Sequence, residues 1–336
     1  VTNNKERKTY IARFLTQFFN GRPYQVDVVT GDASFRRYLR VYQGGTSYIL
    51  MDSDPSKVNN DPFVELNACF SQAGLRVPEI LATDMAYGLL LLNDLGSEHL
   101  ADLLQSPHRL AHYQSILALI PSIAAVKNSP HMKPYDGVFI QQEIEIFEQW
   151  LLGSWLGYEF DNDKKGLWQL CKRRLVENIQ SQPHCTMHRD FHSRNIMRDE
   201  CGWVLIDYQD AVQGPVTYDV VSLLRDCYFR LPGDEFSLLQ NESYHVLTRA
   251  DLLNGMSYPE YQQCFDLTGL QRHLKAAGIF VRLLLRDNKA GYLNNIIPTL
   301  NYVIEVAQCY DELQWLATWL VNEIMPLIDN KLNSLK

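Results

Sequence analysis

Residues 187–210 read MHRDFHSRNIMRDECGWVLIDYQD. The segment opens on His188-Arg189-Asp190 and places Asn195 five residues after that aspartate. A polar tetrad, Asp199-Glu200-Cys201-Gly202, separates residues 196–198 from the apolar run Trp203-Val204-Leu205-Ile206, and Asp207 closes that run. Such a pattern predicts a loop, a short strand, a turn, a second strand and a carboxylate at its end. Asp190, Asp207 and the amide of Asn195 are therefore expected to face a common point.

Phosphoryl transfer needs that set of groups. One carboxylate orients the acceptor hydroxyl and takes its proton, while a second carboxylate and an amide oxygen hold magnesium against nucleotide phosphates. The run resembles the catalytic loop and metal-binding aspartate of protein kinases, and more closely those of the aminoglycoside phosphotransferase and choline kinase superfamily. The resemblance implies that Asp190 is the catalytic base, that Asn195 and Asp207 are Mg2+ ligands, and that ATP is the donor. His188 then belongs to the loop as structural support. Asp219 stands just ahead of an apolar-periodic run, where it can cap a helix and pin the loop through hydrogen bonds.

At 336 residues the chain exceeds the usual size of one core, so two lobes are expected. A net charge of −8 argues against a nucleic-acid surface. The N-terminal VTNNKERKTY lacks the apolar core of a signal peptide, and the longest oily stretches are too short to span a bilayer. Seven cysteines without a C-x-x-C pair read as reduced, which points to the cytoplasm. His184, Cys185, His188 and His192 lack a second cluster that would complete a transition-metal site.

Ile11, Phe14, Leu15 and Phe18 recur at helical spacing, and strand-like residues 26–30 follow. Next come the small, polar turn Gly31-Asp32-Ala33-Ser34, a strand through Val41 and Tyr42, and a third strand at 48–51. Small residues let backbone N–H groups approach an anion, so Gly31 to Ser34 are the candidates for covering the nucleotide phosphates. Protein kinases carry a phosphate-binding lysine on the third strand, where this chain has Met51. Alternation along the second strand puts Arg36, Tyr38 and Arg40 on one face and Arg37, Leu39 and Val41 on the other. If Tyr38 covers the base, Arg36 or Arg40 can clamp phosphates, with Arg40 favoured for its depth in the strand. Glu65, on a predicted helix through Phe63, Leu66 and Phe70, is the candidate partner of the missing lysine. Strands at 78–81 and 88–92 lead to Asn93-Asp94-Leu95-Gly96, which resembles the hinge whose backbone, here at Asp94 and Leu95, meets adenine. A nucleotide-binding lobe over 1–94 and a helical catalytic and substrate lobe over 95–336 follow.

Helical periodicity runs through 95–104, 110–125, 139–156 and 167–179, with breaks at Pro107, Pro130, Pro134 and Gly166. Residues 143–163 are rich in acids and aromatics and are expected to be a solvated face over a buried one. Neutralising Glu143, Glu145 and Glu148 together should then barely change KM for a neutral or acidic sugar. Gln209, Asp210, Arg282 and Arg286 are the candidates for contacting the acceptor; the last two, one helical turn apart, suit an anionic group.

Taken with Gly31 to Tyr38, Leu50-Met51-Asp52 and residues 206–228, these motifs look like one branch of the superfamily. That branch is the bacterial N-acetylmuramate/N-acetylglucosamine kinases of cell-wall recycling, and it accepts methionine in place of the lysine. The resemblance implies an α+β, two-lobed, protein-kinase-like fold with a small β-rich N-lobe and a larger, mainly helical C-lobe. It implies an ATP- and Mg2+-dependent kinase for a sugar hydroxyl, with no nucleic acid or membrane as partner. The competing readings are an aminoglycoside or choline-like kinase, supported by the 143–163 segment, and a nucleotide-binding pseudokinase, supported by the absent lysine.

Overall fold

The turn Gly31-Asp32-Ala33-Ser34 lies outside the residues that the computed structural model describes, which are 4–29 and 36–335. Contacts divide the chain into two compact units, residues 1–99 with 195–210, and residues 100–194 with 211–336. The hairpin that organises the sequence thus packs with the N-terminal segment.

In the first unit, helix α1 (Asn4–Phe18) precedes strands β1 (Gln25–Val29), β2 (Arg36–Gln43) and β3 (Thr46–Ser53). Helix α2 (Asp61–Gln72) and strands β4 (Ile80–Asp84) and β5 (Leu89–Asn93) follow. The five strands form one antiparallel sheet in the order β1-β2-β3-β5-β4. Phe14, Leu15 and Phe19 pack against Leu39, Val41, Leu50, Leu89 and Leu91. Each such side chain contributes roughly 1.5–3 kcal/mol when fully buried, so this apolar face fixes which side of β2 and β3 turns inward. Strand β4 starts two residues later than the sequence predicts. Pro78 has no N–H to pair, and its carbonyl accepts the Asn67 side-chain amide at 2.7 Å.

The second unit is helical around one long helix, Tyr258–Asp287. A capping box between Ser257 and Glu260 starts it, with proline in the first turn, and Asn288 in the left-handed conformation ends it. Gly278 lets this helix approach the Gly137–Ile146 helix closely, since a β-carbon there would lie 2.6 Å from the Ile146 carbonyl oxygen. Among the described residues, no helix is long and apolar enough to cross a membrane.

Three helical expectations need correction. Only Leu100–Leu103 of the 95–104 stretch is helical, because Glu98 and His99 are drawn into bridges to Arg198 and Met197. The 110–125 stretch divides into Arg109–Leu117 and Ile120–Ala124, with Pro121 taking the first turn of the second piece, where no N–H is needed. Gly166 breaks nothing; it lies inside Asn162–Ser181, whose first turn is capped by the Asp161 carboxylate. The 139–156 stretch is continuous but widens to a π-helix over Phe147–Leu156.

Candidate active site

Within the first unit, strands Ile196–Asp199 and Gly202–Leu205 pair antiparallel, with Asn195 before the first and Asp207 beyond the second. Ile206 N–H donates to the Asn195 carbonyl at 3.0 Å, which closes the open end of the hairpin. The hairpin is fastened by a two-pronged Arg76–Asp199 pair at 2.7 and 2.6 Å and by Arg198 N–H to the Glu98 carbonyl at 2.9 Å. Asn195 Nδ2 accordingly lies 3.4 Å from one Asp207 oxygen, and Gln209 Nε2 donates to the other at 2.6 Å. The Asp207 carboxylate and the amide oxygen of Asn195, whose nitrogen makes the 3.4 Å contact, are the hard donors here that suit a small cation.

Asp207 is held at φ 65°, in the left-handed region. Such conformations cost on the order of 1–3 kcal/mol and persist where the surroundings impose them. Tyr208 imposes it here. Its buried ring packs 5.2 Å from Phe63 and 5.6 Å from Phe70, and its hydroxyl accepts the Asn67 amide at 2.7 Å.

Strand β2 presents two faces to different partners. On the α1 side Arg37 and Arg7 share the buried Asp52 carboxylate. On the other side Tyr38 lies opposite Met51, which is fully buried. Burial pushes the Tyr38 hydroxyl up to about 12; the charges of Arg36, which opposes the rise, and Asp207, which adds to it, both reach it. Arg40 is engaged elsewhere. Its Nε lies 2.7 Å from Asp94, and its Nη2 donates to the Gly96 carbonyl at 2.8 Å. The charge of Arg40, expected at the phosphates, is thus already offset by Asp94 and holds the 94–96 loop. Leu95, Met197, Val204 and Ile206 form an apolar cluster beside that loop.

In the second unit, the loop carrying Asp190 is pinned at both ends. The N–H groups of His188 and Arg189 donate to Asp219 at 2.6 and 2.9 Å, and Ser193 N–H donates to Asp226 at 3.0 Å. Asp219 lies in the first turn of Tyr218–Leu224, whose cap position is Thr217, so it fixes the loop without capping the helix. Burial pushes its carboxyl up to about 6 against the pull of those two N–H groups.

Arg189, at φ 74°, adopts a conformation costly for a long side chain. Its guanidinium donates to Glu143 at 2.7 Å and lies 5.0 Å from the Phe139 ring centre. Glu143 is 3 % exposed and is the hub of a buried cluster. It accepts from Tyr135 and Gln271, and Lys275 Nζ lies 2.7 Å away. Burial alone would raise its carboxyl, but Lys275 and Arg189 outweigh that and bring it down to about 2. Asp190 follows the same logic. Burial works to raise its carboxyl, while Lys275, Arg189, His192 and Arg272 together hold it below the ordinary carboxylate value. Asp190 is thus kept anionic by its surroundings.

The reading of 143–163 as a solvated acidic face fails at Glu143, and Glu148 pairs with Lys172 at 2.8 Å. Of the acceptor candidates, Gln209 supports Asp207 and lies 3.3 Å from Asp210, while Arg286 is exposed and paired with Asp287 at 2.8 Å. Sequence reasoning missed Glu143, Arg272 and Lys275, the last two each 7 % exposed. The signal was present: Glu143 falls in phase with Ile140, Ile144 and Phe147, and Arg272 and Lys275 interrupt an otherwise apolar helical face.

The family to which the chain belongs makes it a phosphotransferase. The chain belongs to the phosphotransferase enzyme family (APH), whose model matches residues 25–253. Among relatives, the N-acetylmuramate/N-acetylglucosamine kinase of Neisseria meningitidis is 33% identical over 322 residues, covering 94% of this chain and 96% of its own. That of Pseudomonas aeruginosa is 33% identical over 281 residues, covering 84% of this chain and 83% of its own. The fold is shared with the choline kinase LicA of Streptococcus pneumoniae, at 12% identity and TM-score 0.59 over 89% of this chain and 99% of that one. It is shared likewise with an ADP-bound aminoglycoside phosphotransferase, at 10% identity and TM-score 0.60 over 88% and 98%.

Proposed function

We propose that this phosphotransferase transfers the γ-phosphoryl group of ATP to the anomeric hydroxyl of N-acetylmuramate and N-acetylglucosamine, in the cytoplasm, as a step of cell-wall recycling. The observation that carries the chemistry is Asn195 set against Asp207, five residues after an aspartate that its surroundings keep ionised. The relatives' activity supports the sugar. In this reading Asp190 accepts a hydrogen bond from the acceptor hydroxyl, orients its oxygen towards phosphorus and takes its proton as the new bond forms. Asn195 and Asp207 hold Mg2+, which when bound offsets charge on the phosphates. The hinge backbone at Asp94 and Leu95 receives adenine over the apolar Leu95–Met197–Val204–Ile206 cluster. Residues 1–94 serve the nucleotide and 95–336 the chemistry and acceptor, with the 195–210 hairpin carrying the metal ligands.

A cationic acceptor loses its main support, since Glu143 and Glu148 are already matched by internal cations. A panel of amino sugars, aminoglycosides and choline with labelled ATP tests the proposal. Transfer to the N-acetyl sugars is expected, and transfer to amines alone would overturn it.

Two variants test the nucleotide side. Asp207→Ala is expected to remove most activity and to weaken nucleotide binding much more in magnesium than in EDTA; equal affinities would remove Asp207 from the metal site. Arg36→Ala is expected to raise KM for ATP and lower kcat, because Arg36 shares the face of Tyr38 that Asp207 reaches. Arg37→Ala, on the α1 face, should do neither in the same steady-state assay. Were Arg37→Ala the more damaging of the two, the assignment of strand faces to nucleotide would be wrong.

A further inference from the structure

The helix Tyr258–Asp287 carries Arg272, Lys275, Arg282 and Arg286. Lys275 and Arg282 are seven residues apart, close to two helical turns, and so project from the same side. Their circumstances differ. Lys275 is matched by Glu143, and Arg286 by Asp287. Arg282 is half-buried, its Nε is enclosed without an acceptor, and it makes no ion pair among the described residues. Burial and the neighbouring Arg286 both disfavour its charge, Asp287 opposes them in part, and Arg189 adds to them. Glu143 is within its electrostatic reach but already serves Arg189 and Lys275. Arg189, which adjoins Asp190 in sequence, Lys275 and Arg282 thus all lie within reach of Glu143, while Asp287, which also reaches Arg282, is paired with Arg286.

A partly desolvated guanidinium without a direct ion pair is unfavourable on its own. An anionic ligand removes the imbalance, and a carboxylate matches the planar donor fork. We infer that Arg282 recognises a carboxylate on the acceptor and thereby sets a preference for the acidic N-acetyl sugar over the neutral one. This rests on the sugar-kinase reading. N-acetylmuramate differs from N-acetylglucosamine by a lactyl ether bearing one carboxylate, so the pair of sugars isolates this one contact.

The test is steady-state kinetics of Arg282→Gln and Arg282→Lys with both sugars and with ATP. For Arg282→Gln, the ratio of kcat/KM for N-acetylmuramate to that for N-acetylglucosamine is expected to fall roughly 10- to 100-fold, as befits a hydrogen bond to a charged group. The loss should lie in KM for the acidic sugar, and Arg282→Lys should recover part of it by keeping the charge. An unaltered ratio would overturn the inference, as would a change confined to KM for ATP, which would assign the cation to the phosphates. Wild-type enzyme that phosphorylates neither sugar would instead defeat the underlying sugar-kinase reading. The neutral sugar reports on folding of each variant within the same experiment.

Discussion

Replacing Asp190 by Asn is expected to lower turnover roughly 10²- to 10⁴-fold, the usual contribution of a positioned general base. The substitution barely alters size, but it deletes the charge that Lys275, Arg189 and Arg272 surround. KM for ATP should change little, because the candidate nucleotide groups lie on β2, the hinge and the hairpin. Pre-steady-state transfer rates measured beside denaturation curves separate the chemical effect from any loss of stability. Turnover close to wild type would remove Asp190 from the mechanism. The same environment sets a pH expectation. Because the folded carboxyl is held below its ordinary value, the ionised base persists as pH falls, and activity that depends on it should disappear only below the ordinary carboxylate range.

Glu143→Gln is expected to cost about 3–5 kcal/mol of stability, as for a buried pair broken on one side, and to reduce kcat with it. Arg189 and Lys275 would be left with no carboxylate between them, and Arg189 immediately precedes Asp190. Chemical denaturation and kcat, measured for Glu143→Gln, Glu145→Gln and Glu148→Gln separately, check this. Only the first should be severe; the partly exposed Glu148–Lys172 pair is in the range of about 0–1 kcal/mol. Combining Glu143→Gln with Lys275→Met should recover part of the loss, since it removes one of the two stranded cations. A Glu143→Gln protein with wild-type stability and turnover would mean that the cluster does not hold the loop. Glu143's own contribution to stability is present above its ordinary carboxylate value and is lost as pH falls towards about 2.

The expectations that survived and those that failed differ in range along the chain. Alternation on the second strand correctly separated Arg37 from Arg36 and Tyr38, because pleating is local and the apolar Leu39 and Val41 had to meet α1. The pairing of Arg40 with Asp94 was out of that reach, because the Asp94 side chain meets Arg40 only once β3 and β5 are paired beside β2. The predicted 95–104 helix failed for a similar reason. Nothing within that segment announces that Glu98 and His99 will be claimed by Arg198 and Met197.

By itself, the sequence determined the hairpin, its terminal Asp207, Asn195 at its mouth and Asp190 ahead of it, together with the five strands. Those features follow from residue spacing and strand period, which act over a few residues. Only the tertiary structure decided the charge partners: Arg189 and Lys275 on Glu143, Arg40 on Asp94, and no ion pair for Arg282 among the described residues. Coulomb interactions depend on distance in space, and Glu143 meets Lys275 where Gly278 allows two helices to come together. No local pattern encodes that approach.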